Sequence, residues 1–388
     1  MLLLFGAVLA AHLPAVQTLL AKKVMKSISG KIDGELIVGS IHASPFDGVV
    51  IKDIAIIDDN PAVSPLLESE DTLFRAKYVT ATFSPKGLLS KNGVRLKSAR
   101  ITDALLVITS EPVDDPALRG TSNIKRVFRL KPSDRVKEKK EKEVLHVDHV
   151  EVNGMEYRMK NYKTPRKPRP EIPDVINWRN LDAKDIQAKG RNLSVRGGVV
   201  SGTVDRLTLN EKSGFSPSLI SGDAAVGNGH TEIKDLRIID MDSDIHMSEF
   251  HMSYANTKSF SHFLQDVMID AEVLPSKVSP KTVSYFSRGM KKMDFDVDVE
   301  GGYHGFVSDF RLDDMSFRNR NDDLHGVVNG RLSGLPNMQD IRVDADITDL
   351  NFNLEELTGL IKGIVPGLGA DLGRFAKGQR FDFDGKVK

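Results

Sequence analysis

The feature that most constrains this chain is a strict two-residue alternation of apolar and acidic side chains. Between residues 293 and 300 the apolar members are Met293, Phe295, Val297 and Val299, and the acidic members are Asp294, Asp296, Asp298 and Glu300. Val343, Ala345 and Ile347 alternate with polar residues in the same way. Successive side chains of a β-strand point to opposite faces of the sheet. The pattern therefore predicts an antiparallel sheet with one apolar face and one face in water.

Similar strand-like runs recur along most of the chain, and turn signals separate them. The runs cover residues 36–41, 49–57, 94–109, 144–159, 204–209, 233–239, 293–299, 306–317 and 341–352. Helical spacing of apolar residues is confined to short stretches at 16–28, 259–268, 279–289 and 354–364. In the stretch at 279–289, Ser279 is the expected N-cap and Pro280 the first helical residue. The chain is therefore predicted to be mainly β with a few short amphipathic helices.

Residues 1–21 hold the stretch best suited to enter a membrane. Its apolar side chains include Leu2, Leu3, Leu4, Phe5, Val8 and Leu9. The first interruption is His12, so the run is shorter than the roughly 20 residues that span a bilayer. We favour an uncleaved anchor over a buried helix at a domain edge, because the first eleven residues offer no polar face. No basic residue precedes the run, so we expect the natural start to lie upstream.

Internal repeats and charge runs suggest how the chain is organised. Residues 51–58 recur almost unchanged as 233–240, and the Asp-Phe-Asp of 294–296 recurs at 382–384. The second Asp-Phe-Asp copy stops at Lys388, so we expect further strands beyond it. We expect an anchor over 1–21, a helix and first β repeats over 22–124, charged loops around one strand pair over 125–173, and further, C-terminally incomplete β repeats with short helices over 174–388.

Composition and motifs exclude several classes of function. The 54 basic and 54 acidic residues leave no net charge, which argues against a nucleic-acid partner. The absence of cysteine excludes thiol catalysis and cysteine-ligated metals. Asp240 opens a calcium-like loop, but Ile245 and His251 stand where an EF-hand needs glycine and glutamate. With no catalytic motif found, we expect no catalytic residue, metal or cofactor, and a protein that is not an enzyme.

Several weak motifs occur in an order that matches a known family. They are Leu13–Thr18, Ser44–Ile54, Gly87–Leu89, Ile176–Trp178, and Ser279-Pro280 followed by Tyr285-Phe286. In this order the chain resembles the N-terminal part of the TamB family of translocation and assembly module proteins, within the AsmA-like bacterial envelope proteins. The resemblance covers nearly the whole chain but only the front part of a family member. The family's C-terminal domain, which engages the outer membrane, is not included.

The resemblance implies a single-pass inner-membrane protein with its bulk in the periplasm. The implied fold is an elongated, curled antiparallel β-sheet around an apolar groove. The implied function is carriage of phospholipid between the inner and outer membranes. An alternative is a non-enzymatic scaffold for the assembly of outer-membrane β-barrels, with a BamA-like partner bound through the missing C-terminal region.

Alternation alone favours a sealed sandwich or barrel core over an open groove as the role of the apolar faces. The resemblance to the family favours the groove instead. On the groove hypothesis the lining residues are Met293, Phe295, Val297, Val299, Val343, Ala345, Ile347, Phe381 and Phe383. Exposing an acyl chain of about sixteen carbons to water costs roughly 13 kcal/mol, at about 0.8 kcal/mol per methylene. A continuous apolar trough removes most of that cost without any catalytic residue.

Overall fold

The computed structural model describes residues 32–44, 48–64, 67–83, 94–110, 115–118, 120–128, 143–161, 172–227, 229–286, 296–335, 337, 340–353 and 380–388. Of these residues 75% lie in strands, which confirms the predicted mainly β fold. The expected anchor at 1–21 and the expected helix at 354–364 lie outside the described residues. In the described ranges, no helix is long and apolar enough to cross a membrane.

The described strands form one sheet whose strand order follows the sequence order. They are β1 (Gly34–Ser44), β2 (Gly48–Ser64), β3 (Leu67–Phe83), β4 (Val94–Ser110), β5 (Glu143–Asn161), β6 (Asn180–Arg196), β7 (Val199–Glu211), β8 (Leu219–Gly227), β9 (His230–Ile239), β10 (Asp244–Tyr254), β11 (Val267–Val278), β12 (Val297–Phe306), β13 (Asp309–Asn319), β14 (Leu324–Ser333), β15 (Arg342–Asn353) and β16 (Arg380–Val387). The described helices are α1 (Asn123–Val127), a 3₁₀ turn (Thr257–His262), α2 (Phe263–Asp266) and α3 (Pro280–Ser284).

The sheet is mixed, which corrects the prediction of a purely antiparallel one. β4 and β5 pair in parallel, with Val94 opposite Leu145 and Ser110 opposite Asn161. The other described registers, such as those of β1 with β2 and β14 with β15, are antiparallel. A parallel pair needs a long crossover between its strands. Residues 111–142 supply it here, and α1 lies within them.

The observed strands differ from the predicted runs in two ways: one run is divided by a turn, and several strands were not predicted. The predicted run at 306–317 is interrupted by a turn at Val307 and Ser308, because β12 ends at Phe306 and β13 begins at Asp309. Strands that were not predicted are β3, β6, β8, β10, β11 and β14. The predicted helix at 259–268 is found as the 3₁₀ turn and α2 over 257–266, and the one at 279–289 is found as the single turn of α3. Ser279 and Pro280 hold the predicted N-cap and first helical positions of α3.

The chain divides into two compact units, which are described separately below. The first unit comprises residues 1–197 and 206–212, and the second comprises 198–205 and 213–388. Strands β1 to β6 belong to the first unit, and β8 to β16 belong to the second. In the first unit, Ile32, Leu73 and Val127 form a fully buried cluster. Partly buried residues of β1 to β4, among them Leu36 and Phe74, pack around it.

Aspartates with a left-handed backbone recur within the strands of both units. Their φ angles lie between 45° and 53°, and they are Asp53, Asp103, Asp185, Asp235, Asp314 and Asp349. Aspartate tolerates this conformation better than most residues, since its short side chain can bond locally. Register shifts accompany Asp314 and Asp349, as expected for β-bulges. Asp53 and Asp235 occupy equivalent positions of the repeat at 51–58 and 233–240. The repeat therefore encodes the same left-handed residue within a strand in each unit.

Candidate apolar binding faces

Several predicted groove residues lie on one face of β14 to β16. Ala345 lies opposite Gly330 on β14 and Val387 on β16. Ile347 is one step along the same face of β15, opposite Val328. Directly paired residues of neighbouring strands point to the same side of a sheet. The structure therefore places these residues together on one apolar surface.

The remaining predicted residues continue this surface at one end. Phe381 lies opposite Phe352, and their stacked rings are 5.5 Å apart between centroids. Phe383 lies opposite Leu350 in the same pair of strands. Further predicted residues are found in the same sheet, with Val297 opposite Asn319, Val299 opposite Phe317, and Val343 opposite Leu332. Met293 and Phe295 lie outside the described residues.

Two rows of paired residues run through the second unit, and all their members are apolar except Thr231 and the Tyr303 hydroxyl. One row spans nine strands and consists of Ala224, Ile233, Phe250, Ala271, Tyr303, Leu312, Gly330, Ala345 and Val387. A neighbouring row consists of Val226, Thr231, Met252, Ile269, Gly305, Phe310, Leu332 and Val343. We call these two rows, with Val299, Ile347, Leu350, Phe352, Phe381 and Phe383, the second-unit face.

The second-unit face is large enough for acyl chains. Eight steps between strands at about 4.8 Å give a path of roughly 38 Å along the sheet. Along β15, the distance from Val343 to Phe352 is about 30 Å at 3.3 Å per residue. The hydrocarbon core of a whole bilayer is about 30 Å thick, so a single chain needs about half of that length.

Side chains of this face are shielded only in part. Phe250, Tyr303 and Leu312 are half-buried. Phe381 and Phe383 on β16 each remain 38% exposed. A sealed core buries such side chains almost completely. The face therefore keeps apolar area that a ligand could cover.

The opposite face of the second unit carries paired charges. Arg237 forms a two-pronged interaction with Asp244, with Nε–Oδ1 and Nη2–Oδ2 distances of 3.0 and 2.8 Å. His304 lies between Asp270 and Asp313, at 3.2 and 3.3 Å. A cavity of about 630 Å³ lies between β9 and β15, and both charged residues such as Arg237 and apolar residues such as Phe317 line it. Exposed ion pairs of this kind stabilise a fold by at most about 1 kcal/mol each. Their main effect is to keep this side of the sheet in water.

The first unit has an equivalent apolar face that the predicted lining residues did not include. One row spans six strands and consists of Leu36, Ile56, Phe74, Leu106, Tyr157 and Ala183. A neighbouring row consists of Val38, Ile54, Ala76, Ala104, Met155 and Ile186. We call these two rows the first-unit face. Both rows continue across β4 and β5, although these two strands pair in parallel.

A short helix closes one end of the first-unit face. Val127 of α1 belongs to the buried cluster, and Ile124 packs beside it. The Arg126 guanidinium binds the Asp58 carboxylate at 2.7 Å, and both side chains are only 2% exposed. Arg126 also donates to the Thr121 carbonyl. Burial raises the pKa of Asp58 above its ordinary 3.8, while the hydrogen bond from Arg126 opposes that shift. A buried ion pair therefore attaches α1 to β2.

Asn123 holds the same helix to β4. Its side-chain amide donates to the Val107 carbonyl at 2.8 Å, and its Oδ1 accepts from the Thr109 amide at 3.0 Å. Asn123 is 1% exposed, so these bonds satisfy polar groups that water does not reach. The helix is too short to be stable alone and depends on these contacts.

In the second unit, α3 is attached by hydroxyl groups. The Ser279 amide donates to Ser243 Oγ, which donates to Thr282 Oγ1, which in turn donates to Asp240 Oδ2, over 2.8, 2.8 and 2.7 Å. The Ser279 hydroxyl makes no cap bond, and Ser243 instead accepts a hydrogen bond from the backbone amide of Ser279. The rings that follow α3 pack on Phe215, with Tyr285 at 5.6 Å and Phe286 at 5.1 Å between centroids.

Each apolar face contains one tyrosine within its continuous row. Tyr303 lies between Ala271 and Leu312, and its ring stacks on Phe310 at 5.0 Å between centroids. Burial raises the pKa of Tyr303 to about 12. Tyr157 lies between Leu106 and Ala183 in the first unit, and burial raises its pKa as well. Both phenols are therefore neutral hydrogen-bond donors at physiological pH.

Comparison of the chain with protein-family models, with curated proteins and with solved structures gave no match. The described ranges also contain no group of three or more histidine or acidic residues that could hold a metal ion.

Proposed function

We propose that this protein is anchored in the bacterial inner membrane, lies mainly in the periplasm, and carries phospholipid between the inner and outer membranes. The acyl chains would lie on the apolar faces of its β-sheet, which act as the walls of a groove. The observation that carries this proposal is the pair of unbroken apolar rows, six strands wide in the first unit and nine in the second. The apolar run at 1–21 supports the anchor.

The energetics favour a continuous surface over isolated sites. Each methylene that leaves water gains about 0.8 kcal/mol. Rows of paired residues offer similar apolar contacts at every strand. A lipid can therefore move from strand to strand while its acyl chains stay covered by apolar side chains. No bond is made or broken in such movement, which fits our expectation that the protein is not an enzyme.

Site-specific photo-crosslinking in cells tests this proposal. A photoreactive amino acid at Ile347, on the second-unit face, is expected to capture phospholipid. The matched control is Asp346, the preceding residue of β15, which points to the charged face. Equal capture at both positions, or protein adducts alone at Ile347, contradicts the groove.

The second candidate function is a scaffold for the assembly of outer-membrane β-barrels. The apolar side chains of β16 support it, because they are more exposed than those of strands such as β13. Exposed apolar strands can pair with or cover a strand of a partner, for example a BamA-like protein. Reduced levels of folded barrels in a deletion strain, with normal lipid distribution, would favour this function over lipid carriage.

A further inference from the structure

Two tyrosines and Thr231 carry the side-chain hydroxyl groups of the two apolar faces. Tyr303 is in the middle of the nine-strand row, and Tyr157 is in the six-strand row. Their nearest paired neighbours, such as Ala271 and Leu106, are apolar. A phenylalanine would fill the same space without a polar atom. The hydroxyls therefore give each apolar face a polar group that a bound ligand can meet.

Within the described part of the chain, burial alone shifts the pKa of the two tyrosines and no hydrogen bond reaches either hydroxyl. The Tyr254 hydroxyl differs in this respect, because it lies 3.5 Å from Thr231 Oγ1. Tyr78 belongs to a polar row, where Lys52 Nζ lies 5.8 Å from its ring centroid. Neither hydroxyl is among the fully buried side-chain atoms that lack a partner, so both still reach water. When a lipid covers the apolar face, each hydroxyl loses that water, which costs about 1–3 kcal/mol unless the lipid supplies an acceptor.

We propose that the Tyr303 and Tyr157 hydroxyls each donate a hydrogen bond to an ester carbonyl of an acylglycerol lipid lying on the apolar face. This inference rests on the proposed function and specifies its substrate class as ester-linked lipids. The two tyrosines thereby act as positioning residues, because they fix where the glycerol end of the lipid lies along a row.

An ester carbonyl suits these sites better than the other acceptors of a lipid. Phosphate and carboxylate groups are charged, and a charge on an apolar surface is strongly disfavoured. The ester carbonyl is neutral and lies where the acyl chain begins. A neutral phenol on the protein matches it, since tyrosine is protonated at physiological pH and burial raises the pKa of both tyrosines further. The stacked Phe310 ring holds the Tyr303 ring in place.

The test compares two lipids on purified full-length chain. One probe is diacyl phosphatidylglycerol, and the other is its dialkyl ether analogue with the same chain length and no ester carbonyl. The variants are Tyr303→Phe, Tyr157→Phe and the double variant. Each lost hydrogen bond is expected to weaken diester binding about 2- to 12-fold and to leave diether binding unchanged. Tyr78→Phe is the matched control and should change neither affinity.

Infrared spectra of lipid with a ¹³C-labelled ester carbonyl give a second measurement. The carbonyl band of the bound lipid should lie at lower frequency in the wild-type protein than in the double variant. An equal loss of diester and diether binding, or no loss of either, overturns the assignment of the tyrosines while the lipid function stands. Wild-type protein that binds neither lipid overturns the proposed function and the assignment together.

Discussion

The two units attach a short helix beside their strands by different chemistry. In the first unit the attachment is a buried ion pair, Asp58 with Arg126. In the second it is a chain of hydroxyls from Ser243 through Thr282 to Asp240. Both networks satisfy polar groups where water is largely excluded. They differ in what remains when one member is removed.

An ion pair that loses one partner leaves an uncompensated buried charge, whereas a hydroxyl chain leaves a neutral group that can find another bond. The first unit should therefore be sensitive to single substitutions at its attachment, and tolerant of removing both charges together. The second unit should show smaller and more nearly additive losses. Short helices of one chain can therefore be held by interactions that tolerate substitution unequally.

The largest expected effect comes from breaking the ion pair. Arg126→Met leaves Asp58 buried without its partner and should destabilise the first unit by about 3–5 kcal/mol. Asp58→Leu with Arg126→Met should recover most of that loss, because it removes both charges. Hydrogen exchange of the α1 and β2 amides, measured beside urea unfolding, separates local from global effects. Equal losses of stability in the single and double variants would contradict the view that an unpaired buried charge causes the loss.

A smaller effect is expected from the hydroxyl chain. Thr282→Val keeps the side-chain shape but removes the donor to Asp240, at a cost of about 1–3 kcal/mol. Thr282 is 1% exposed, so water cannot easily replace the lost bond. The measurement is the same hydrogen exchange, now at α3 and the Ser243 turn. Ser284→Ala is a suitable control, since its hydroxyl bonds only within α3, to the Lys281 carbonyl. A loss as large as that of Arg126→Met would contradict the proposed difference.

Part of this architecture could be predicted from the sequence because it depends on local alternation. β15 is an example, since Val343, Ala345 and Ile347 fall on the second-unit face as alternation requires. The first-unit face could not be predicted in this way. At Asp103 the apolar phase changes, with Ile101 before it and Ala104 after it. An alternation count therefore fails wherever a left-handed residue resets the pattern.

Other features depend on contacts between residues that are distant in sequence. The parallel pairing of β4 with β5 brings Arg100 to Glu151, a partnership that no local pattern encodes. The same holds for Asp58 and Arg126, which are 68 residues apart. The repeat at 51–58 and 233–240 is the sequence signal from which the first-unit face could have been predicted. Its aspartate has a left-handed backbone and marks where the alternation of apolar side chains shifts by one residue.

The left-handed aspartates should behave alike in the two units, which sharpens the comparison. Asp53→Val and Asp314→Val force a β-branched residue into this backbone and should each cost about 1–2 kcal/mol. Asp53→Gly and Asp314→Gly relieve the strain and should cost less than the valine variants. Urea unfolding of all four variants measures this. A large cost in one unit only would show that the two left-handed aspartates differ in role.

The smallest effect is a pH dependence confined to the first unit's parallel pair. A hydrogen bond from Arg95 lowers the pKa of Glu143 from its ordinary 4.5 to about 2, and one from Ser194 adds to the effect. A carboxyl whose pKa is lowered on folding stabilises the fold above its unfolded pKa. That stability should be lost as pH falls from about 4.5 to about 2. Glu143→Gln should therefore reduce stability at pH 7 by less than about 1 kcal/mol, with the difference vanishing near pH 2. Urea midpoints measured across this range test it, and a difference that persists at pH 2 would assign the loss to packing instead of charge.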